Sequence, residues 1–92
     1  MVVKAITITL RAPWLHSLKE KRSELKSLVQ KMRNRFNVSA AETDRQDVHQ
    51  MMVITVAFVA SNQSIADSMR EQIIRFVEAN TEAEIVGIED VL

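Results

Sequence analysis

Residues 2–11 read VVKAITITLR, and this alternating stretch decides the start of the fold. Ile6, Ile8 and Leu10 fall on one face of this stretch, and Ala5, Thr7 and Thr9 fall on the other. β-branched residues at a period of two predict a strand with one buried face. Pro13 cannot continue that strand, so residues 12–16 are expected to form a loop.

A helix is predicted directly after this loop. Ser17 and Glu20 have the spacing of a capping box, in which the Glu20 carboxylate reaches back to the N–H of Ser17. The helix should run to about Arg35, because apolar residues recur at helical spacing. These positions are Leu18, Leu25, Leu28, Val29 and Met32, and Phe36 closes the stripe.

The rest of the chain repeats this order of elements. Residues 37–44 and 48–60 are typical of strands, and the polar segment Thr43–Asp47 between them predicts a hairpin. A second helix is expected over about 64–79 and a last strand over about 83–92, whose apolar residues do not alternate cleanly. The buried stripe expected for the second helix is Ile65, Met69, Ile73, Phe76 and Val77.

The order β-α-β-β-α-β predicts the fold class α+β. Two βαβ halves joined by a hairpin close most simply as a ferredoxin-like sandwich. Right-handed crossovers place both helices on one face of a four-stranded antiparallel sheet. With 92 residues, the chain is expected to form a single domain over 1–92.

Composition excludes several classes of site. The chain has no Cys, which removes disulfides and thiolate chemistry, and a single Gly, which removes glycine-rich phosphate loops. The acids and His49 around the predicted hairpin match no metal-ligand spacing. No catalytic constellation is present, so we expect no enzyme activity, no cofactor and no metal. Without a leader or a long apolar run, the expected compartment is the cytoplasm and no membrane contact is expected.

The net charge is zero, but the charges are unevenly distributed. Residues 1–41 hold nine Lys or Arg against two acids, a net +7, and residues 42–92 hold three against ten, a net −7. Such asymmetry indicates either a basic surface that binds anions or two halves that neutralise each other within one fold.

The basic residues concentrate at the first helix. At about 100° per residue, four of them fall within about 60° of one another on one flank of the apolar stripe. The predicted anion or RNA surface consists of Arg11, His16, Lys19, Arg22, Lys26 and Arg33. Such a surface follows a phosphate backbone without reading bases, so no DNA sequence readout is expected. A solvated helix face is the alternative interpretation.

The sheet face turned away from the helices is expected to carry small, uncharged side chains. Monomers seldom expose a large apolar patch, so this face is a candidate for a homodimer contact. Its predicted members are Ala5, Thr7, Thr9, Val53, Thr55 and Ala57.

Residues 16–22 (HSLKEKR), followed by 33–39 (RNRFNVS) and 41–42 (AE), resemble the YlxP-like family of small bacterial proteins. That family is a domain of unknown function. The resemblance implies a fold similar to the ferredoxin-like plait. Its members are often encoded among translation and ribosome-maturation factors, which implies RNA or a ribosomal particle as partner. One departure is His49, where the family often has an aromatic residue.

We therefore expect a non-enzymatic binding module that contacts RNA or a ribosomal assembly through its basic first helix. The alternative is a homodimeric regulatory or small-ligand-binding domain.

Overall fold

The computed structural model describes all 92 residues. Its elements follow the predicted order and are β1 (Val2–Arg11), α1 (Leu18–Arg35), β2 (Ser39–Asp44), β3 (Met51–Ala60), α2 (Gln63–Asn80) and β4 (Glu84–Asp90). The strands form one antiparallel sheet in the order β2-β3-β1-β4. Two helices, both on one face of this open sheet, complete the predicted ferredoxin-like α+β architecture.

The core lies between the sheet and the helices. The inward face of β1 is fully buried, with Ile6, Ile8 and Leu10 at most 1% exposed, and it pairs with the inward face of β3. Leu28 and Met32 of α1 and Ile73 and Val77 of α2 close this core from above. The alternation in residues 2–11 thus has the predicted result.

Both helices begin with side-chain caps. The Ser17 hydroxyl accepts the N–H of Glu20 at 3.1 Å, and the Asn62 side chain accepts the N–H of Ile65 at 2.9 Å. The predicted return contact is wrong in one detail. The Glu20 carboxylate accepts the N–H of His16 at 3.4 Å rather than that of Ser17.

Three further predictions need correction. The hairpin turn lies later than expected, since β2 ends at Asp44 and β3 begins at Met51. Ile65 is not in the buried stripe of α2. It is 45% exposed, and the small Ala66 occupies the buried position in the first turn instead. In α1, the fully buried side chains include a charged one, Lys21, which the apolar stripe did not include.

Candidate functional site

Four basic residues lie along one side of α1, which we call the basic flank: Lys19, Arg22, Lys26 and Arg33. All four are exposed. Arg33 Nη2 donates to the carbonyl of Ala40 at 2.8 Å. Because Ala40 belongs to β2, this bond shows that the basic flank faces the β2 edge of the sheet.

Most of this charge is uncompensated. Lys19, Arg22 and Lys26 have no carboxylate within 4.0 Å, and none of their side chains is hydrogen-bonded to the protein. Exposed ammonium and guanidinium groups without protein partners remain available to anions from solution.

The opposite flank of α1 faces the second helix. Glu24 Oε1 accepts a hydrogen bond of 3.4 Å from Thr81, the residue that follows α2. Glu20 is occupied by its capping contact with His16. The two acids of α1 therefore lie away from the most basic part of the helix.

Among the acids of the second half, Glu42, Asp44 and Asp47 lie in β2 and the turn after it, whereas those of α2 and β4 lie at the other edge of the molecule. Arg70 of α2 binds Asp90 of β4 through Nε at 2.8 Å, and Lys4 approaches the same carboxylate at 3.1 Å. These contacts place the Arg70 side of α2 against β4. By helical spacing the exposed acids of α2 lie beyond Arg70, on the side away from α1. They are Asp67, Glu71 and Glu78.

The Lys4 and Arg70 contacts hold the pKa of Asp90 below its ordinary value, with the Arg70 hydrogen bond as the larger cause. The same bond raises the pKa of Arg70. This cluster fastens the outer strand β4 to α2 and β1.

The remaining members of the predicted anion surface are placed differently. His16 is exposed beside the helix cap, at the beginning of the basic flank. Arg11 pairs with Met51 and Glu84 in the sheet, and strand alternation puts it with Thr9 on the face opposite the helices. The structure therefore does not bring Arg11 together with the other basic residues.

Lys21 is the charged residue that sequence reasoning missed. Its side chain is 1% exposed, and Nζ donates to the carbonyls of Arg45 and Val48 at 2.7 and 2.8 Å. Nζ also lies 2.7 Å from Glu42 Oε2, at ion-pair distance but without the alignment of a hydrogen bond. Lys21 thereby fixes the turn between β2 and β3, in which Arg45 has a left-handed φ of 50°.

The sequence did contain a signal for this burial. Lys21 stands four residues before Leu25 and seven before Leu28, so helical spacing places it on the apolar stripe. A lysine on such a stripe is buried only when oxygen atoms surround its ammonium group. Those oxygen atoms come from a distant turn, which the spacing does not reveal.

The sheet face opposite the helices carries a row of hydrogen-bonded threonines. Thr55 Oγ1 lies 2.8 Å from that of Thr7 and 2.7 Å from that of Thr43. Val3 and Val59, directly opposite each other, are 49% and 63% exposed. All predicted members of the dimer face lie on this side, although Ala5 and Val53 are already buried within one chain.

A single cleft opens between the two helices near the end of α1. It has a volume of about 320 Å³ and is lined by Arg35, Phe36, Gln72, Arg75 and Phe76. Elsewhere no three His, Asp or Glu side chains converge as a metal-binding group. Neither helix is both long and apolar enough to cross a membrane.

Comparison with known proteins supplies a family. The chain is 34% identical to the uncharacterized protein YlxP of Bacillus subtilis (strain 168) over 68 residues, which cover 74% of each chain. A solved structure described as "Structural Genomics, protein YJCS" is similar over 99% of this chain and 98% of its own length. Its TM-score is 0.54 and its identity 12%, so this likeness concerns the fold alone. Residues 3–90 match the family described as protein of unknown function (DUF503), and the chain, as the YlxP-like residues indicated, belongs to that family.

Proposed function

We propose that this protein is a binding module for RNA, free or within a ribosomal particle, and that the basic flank of α1 is its contact surface. The observation that carries the proposal is the uncompensated charge of Lys19, Arg22 and Lys26. Phosphate groups are the ligands that such a row of exposed cations attracts most strongly.

The distribution of acids supports the same proposal. A nucleic acid that approaches the β2 edge meets the basic flank, while the acids of α2 lie on the side away from α1. Of the three acids at the β2 edge itself, Glu42 is paired with Lys21, and Asp44 and Asp47 are exposed in or beside the turn. The net charge of zero therefore does not oppose binding, because attraction depends on the local field rather than on the total charge. The acidic side would favour one orientation of the bound strand.

Recognition on this surface is expected to involve the backbone rather than the bases. RNA-recognition motifs stack bases on aromatic residues of the open sheet. Here the corresponding face carries Thr7, Thr9, Thr55 and Ala57. Lysine and arginine contacts to phosphate position a strand and give little sequence information. We therefore expect affinity that depends on charge and varies little with sequence.

The test compares two charge reversals on the same helix. Lys26 and Lys31 are both exposed and both lack an acidic partner, but they lie on opposite flanks of α1. Lys26→Glu should weaken binding to an RNA oligonucleotide several-fold, and Lys31→Glu should have a smaller effect although it changes the net charge equally.

The triple variant Lys19→Glu/Arg22→Glu/Lys26→Glu should abolish co-sedimentation with ribosomal particles. Circular dichroism serves as the control for folding. Equal effects of Lys26→Glu and Lys31→Glu would argue against a defined surface on the basic flank.

A second candidate function is homodimerisation through the open sheet face. The supporting observation is the threonine row, in which the hydroxyls of Thr7, Thr43 and Thr55 already bond to one another. A partner surface can cover such a row without leaving polar groups unsatisfied, a condition that buried interfaces must meet. The exposed pair Val3 and Val59 adds apolar area to the same face.

A further inference from the structure

The cleft between the helices combines aromatic rings with positive charge. Phe36 and Phe76 meet edge to face, with ring centroids 5.5 Å apart and an angle of 75° between the planes. Both are only half-buried, whereas Phe58 belongs to the core. Part of each ring in the cleft is therefore accessible to a ligand.

Two arginines border these rings. The Arg35 guanidinium carbon lies 4.9 Å from the centroid of Phe36, a cation–π arrangement, and Arg35 has no carboxylate within 4.0 Å. Arg75, on the other side, has a loose contact of 3.8 Å with Glu71 and is highly exposed. Gln72 contributes an amide that can both donate and accept hydrogen bonds. The lining thus combines two aromatic rings with two guanidinium groups and one amide.

This combination selects a planar ring that carries negative charge. A guanidinium stacked on an aromatic ring extends the platform on which a base can stack, and a second guanidinium can reach the attached phosphate. The cleft volume of about 320 Å³ lies at the small end of ligand sites, which span roughly 300–1,000 Å³. A nucleotide has the required chemistry, with a flat base and an anionic phosphate.

We propose that the cleft binds one unpaired nucleotide of an RNA strand whose backbone follows the basic flank. Arg33 of the basic flank and Arg35 of the cleft are two residues apart in the last turn of α1 and point to opposite sides of the helix, so the strand would pass around the end of α1 to contact both. This inference rests on the proposed function and extends it, because it predicts a preference for single-stranded RNA over a duplex.

The experiment measures the affinity of the full chain for a single-stranded oligoribonucleotide, for a duplex of the same sequence and for a free mononucleotide. The wild type should bind the single strand more tightly than either alternative. Phe76→Leu keeps an apolar side chain but removes the ring face. It should weaken single-strand binding at least about fivefold, the lower end of what a stacked base contributes, and leave duplex binding unchanged.

Arg35→Gln provides a second variant that does not touch the core. It should weaken single-strand binding, while the matched change Lys31→Gln, outside the cleft on the same helix, should not weaken it. Unchanged single-strand affinity in folded Phe76→Leu and Arg35→Gln would overturn the inference. A mononucleotide that binds as tightly as the strand would also overturn it, since the cleft would then serve a free nucleotide.

The two proposals fail in different ways. If neither single strand nor duplex binds, the proposed function is wrong. If both bind equally, and binding is lost only on reversal of Lys19, Arg22 and Lys26, the RNA-binding proposal stands and the cleft inference alone is wrong.

Discussion

The ammonium group of Lys21 contacts three oxygen atoms, two from backbone carbonyls in the turn after β2 and one from the Glu42 carboxylate. Taking a charge out of water is costly, and only well-placed partners repay that cost. The contacts tie α1 to a turn that has few other bonds to the body of the protein. Lys21 therefore holds the first part of the turn, and Gln50 holds its end through hydrogen bonds with Ala12 and Pro13.

Removal of Lys21 alone should be strongly destabilising. Lys21→Met leaves the Glu42 carboxylate and two carbonyls without a partner, and breaking a buried pair in this way typically costs about 3–5 kcal/mol. Urea denaturation of Lys21→Met, Glu42→Gln and the double variant measures the coupling. A double variant as unstable as the sum of the single changes would mean that Lys21 and Glu42 do not interact.

Removal of the Ser17 cap should lower the free energy of unfolding by less than the removal of Lys21. Ser17→Ala removes the acceptor of the Glu20 N–H and should lower the free energy of unfolding by about 0.5–2 kcal/mol. Ser23, exposed in the middle of the same helix, is the matched control. Ser23→Ala should be neutral or slightly stabilising, because alanine is the better helix former. Equal melting temperatures for both variants would contradict a capping role.

Asp90 should make the stability of the protein depend on acid pH. Its pKa is held below the ordinary value, so its charged form stabilises the fold. This contribution is fully present above the unfolded-state pKa, roughly 3.9, and is lost as the pH falls through the folded-state pKa. Asp90→Asn should therefore show a flatter decline of stability below about pH 4. Identical acid profiles for wild type and variant would exclude the effect.

At the scale of elements, the periodicity of apolar residues predicted the helices and strands whose buried faces follow from local spacing. The alternation of β1 and the stripe of α1 gave the strand, the helix and their buried faces. The faces of β4 could not be predicted, because its pairing shifts register between Thr9 and Leu10 and breaks the alternation. The turn before β3 was predicted too early in the sequence. Its position depends on contacts with Lys21, which is distant in the sequence and gives no local signal.

The candidate site was predictable to a similar degree. Helical spacing places four basic residues on one flank, but only tertiary contacts such as Arg33 to Ala40 decide that this flank faces β2. Arg11 was grouped with the basic residues because it ends β1 beside the loop before α1, but strand alternation puts its side chain with Thr7 and Thr9 on the open face. The cleft at Phe36 and Phe76 depends on the packing of two separate helices and has no local sequence signal.

At the scale of the whole molecule, the sandwich separates the basic flank from the acids of α2 and β4, although Glu42, Asp44 and Asp47 remain on the β2 side. The basic flank lies at the β2 edge, and the Asp90 cluster lies at the β4 edge. A domain with this separation has a field that orients it toward a polyanion.

The dimer prediction concerns the open face of the sheet. Val59 is 63% exposed in the single chain, so Val59→Lys should be tolerated by the monomer. In a dimer that packs on this face, the same change would bury an unpaired ammonium and cause dissociation. Light scattering should show dimers for the wild type and for the control Ser27→Lys on exposed α1, and monomers for Val59→Lys. A wild type that stays monomeric at high concentration would contradict the dimer proposal.

The central claim is that the basic flank contacts phosphate, and a salt series tests it most directly. Each phosphate contact to a single strand contributes about −0.7 to the slope of log K against log salt. Loss of Lys19, Arg22 and Lys26 should therefore reduce the magnitude of the slope by about 2 if each makes one contact. We predict that the triple reversal to Glu binds RNA more weakly and with a flatter slope than the wild type. Unchanged affinity and slope in a folded triple variant would contradict the claim.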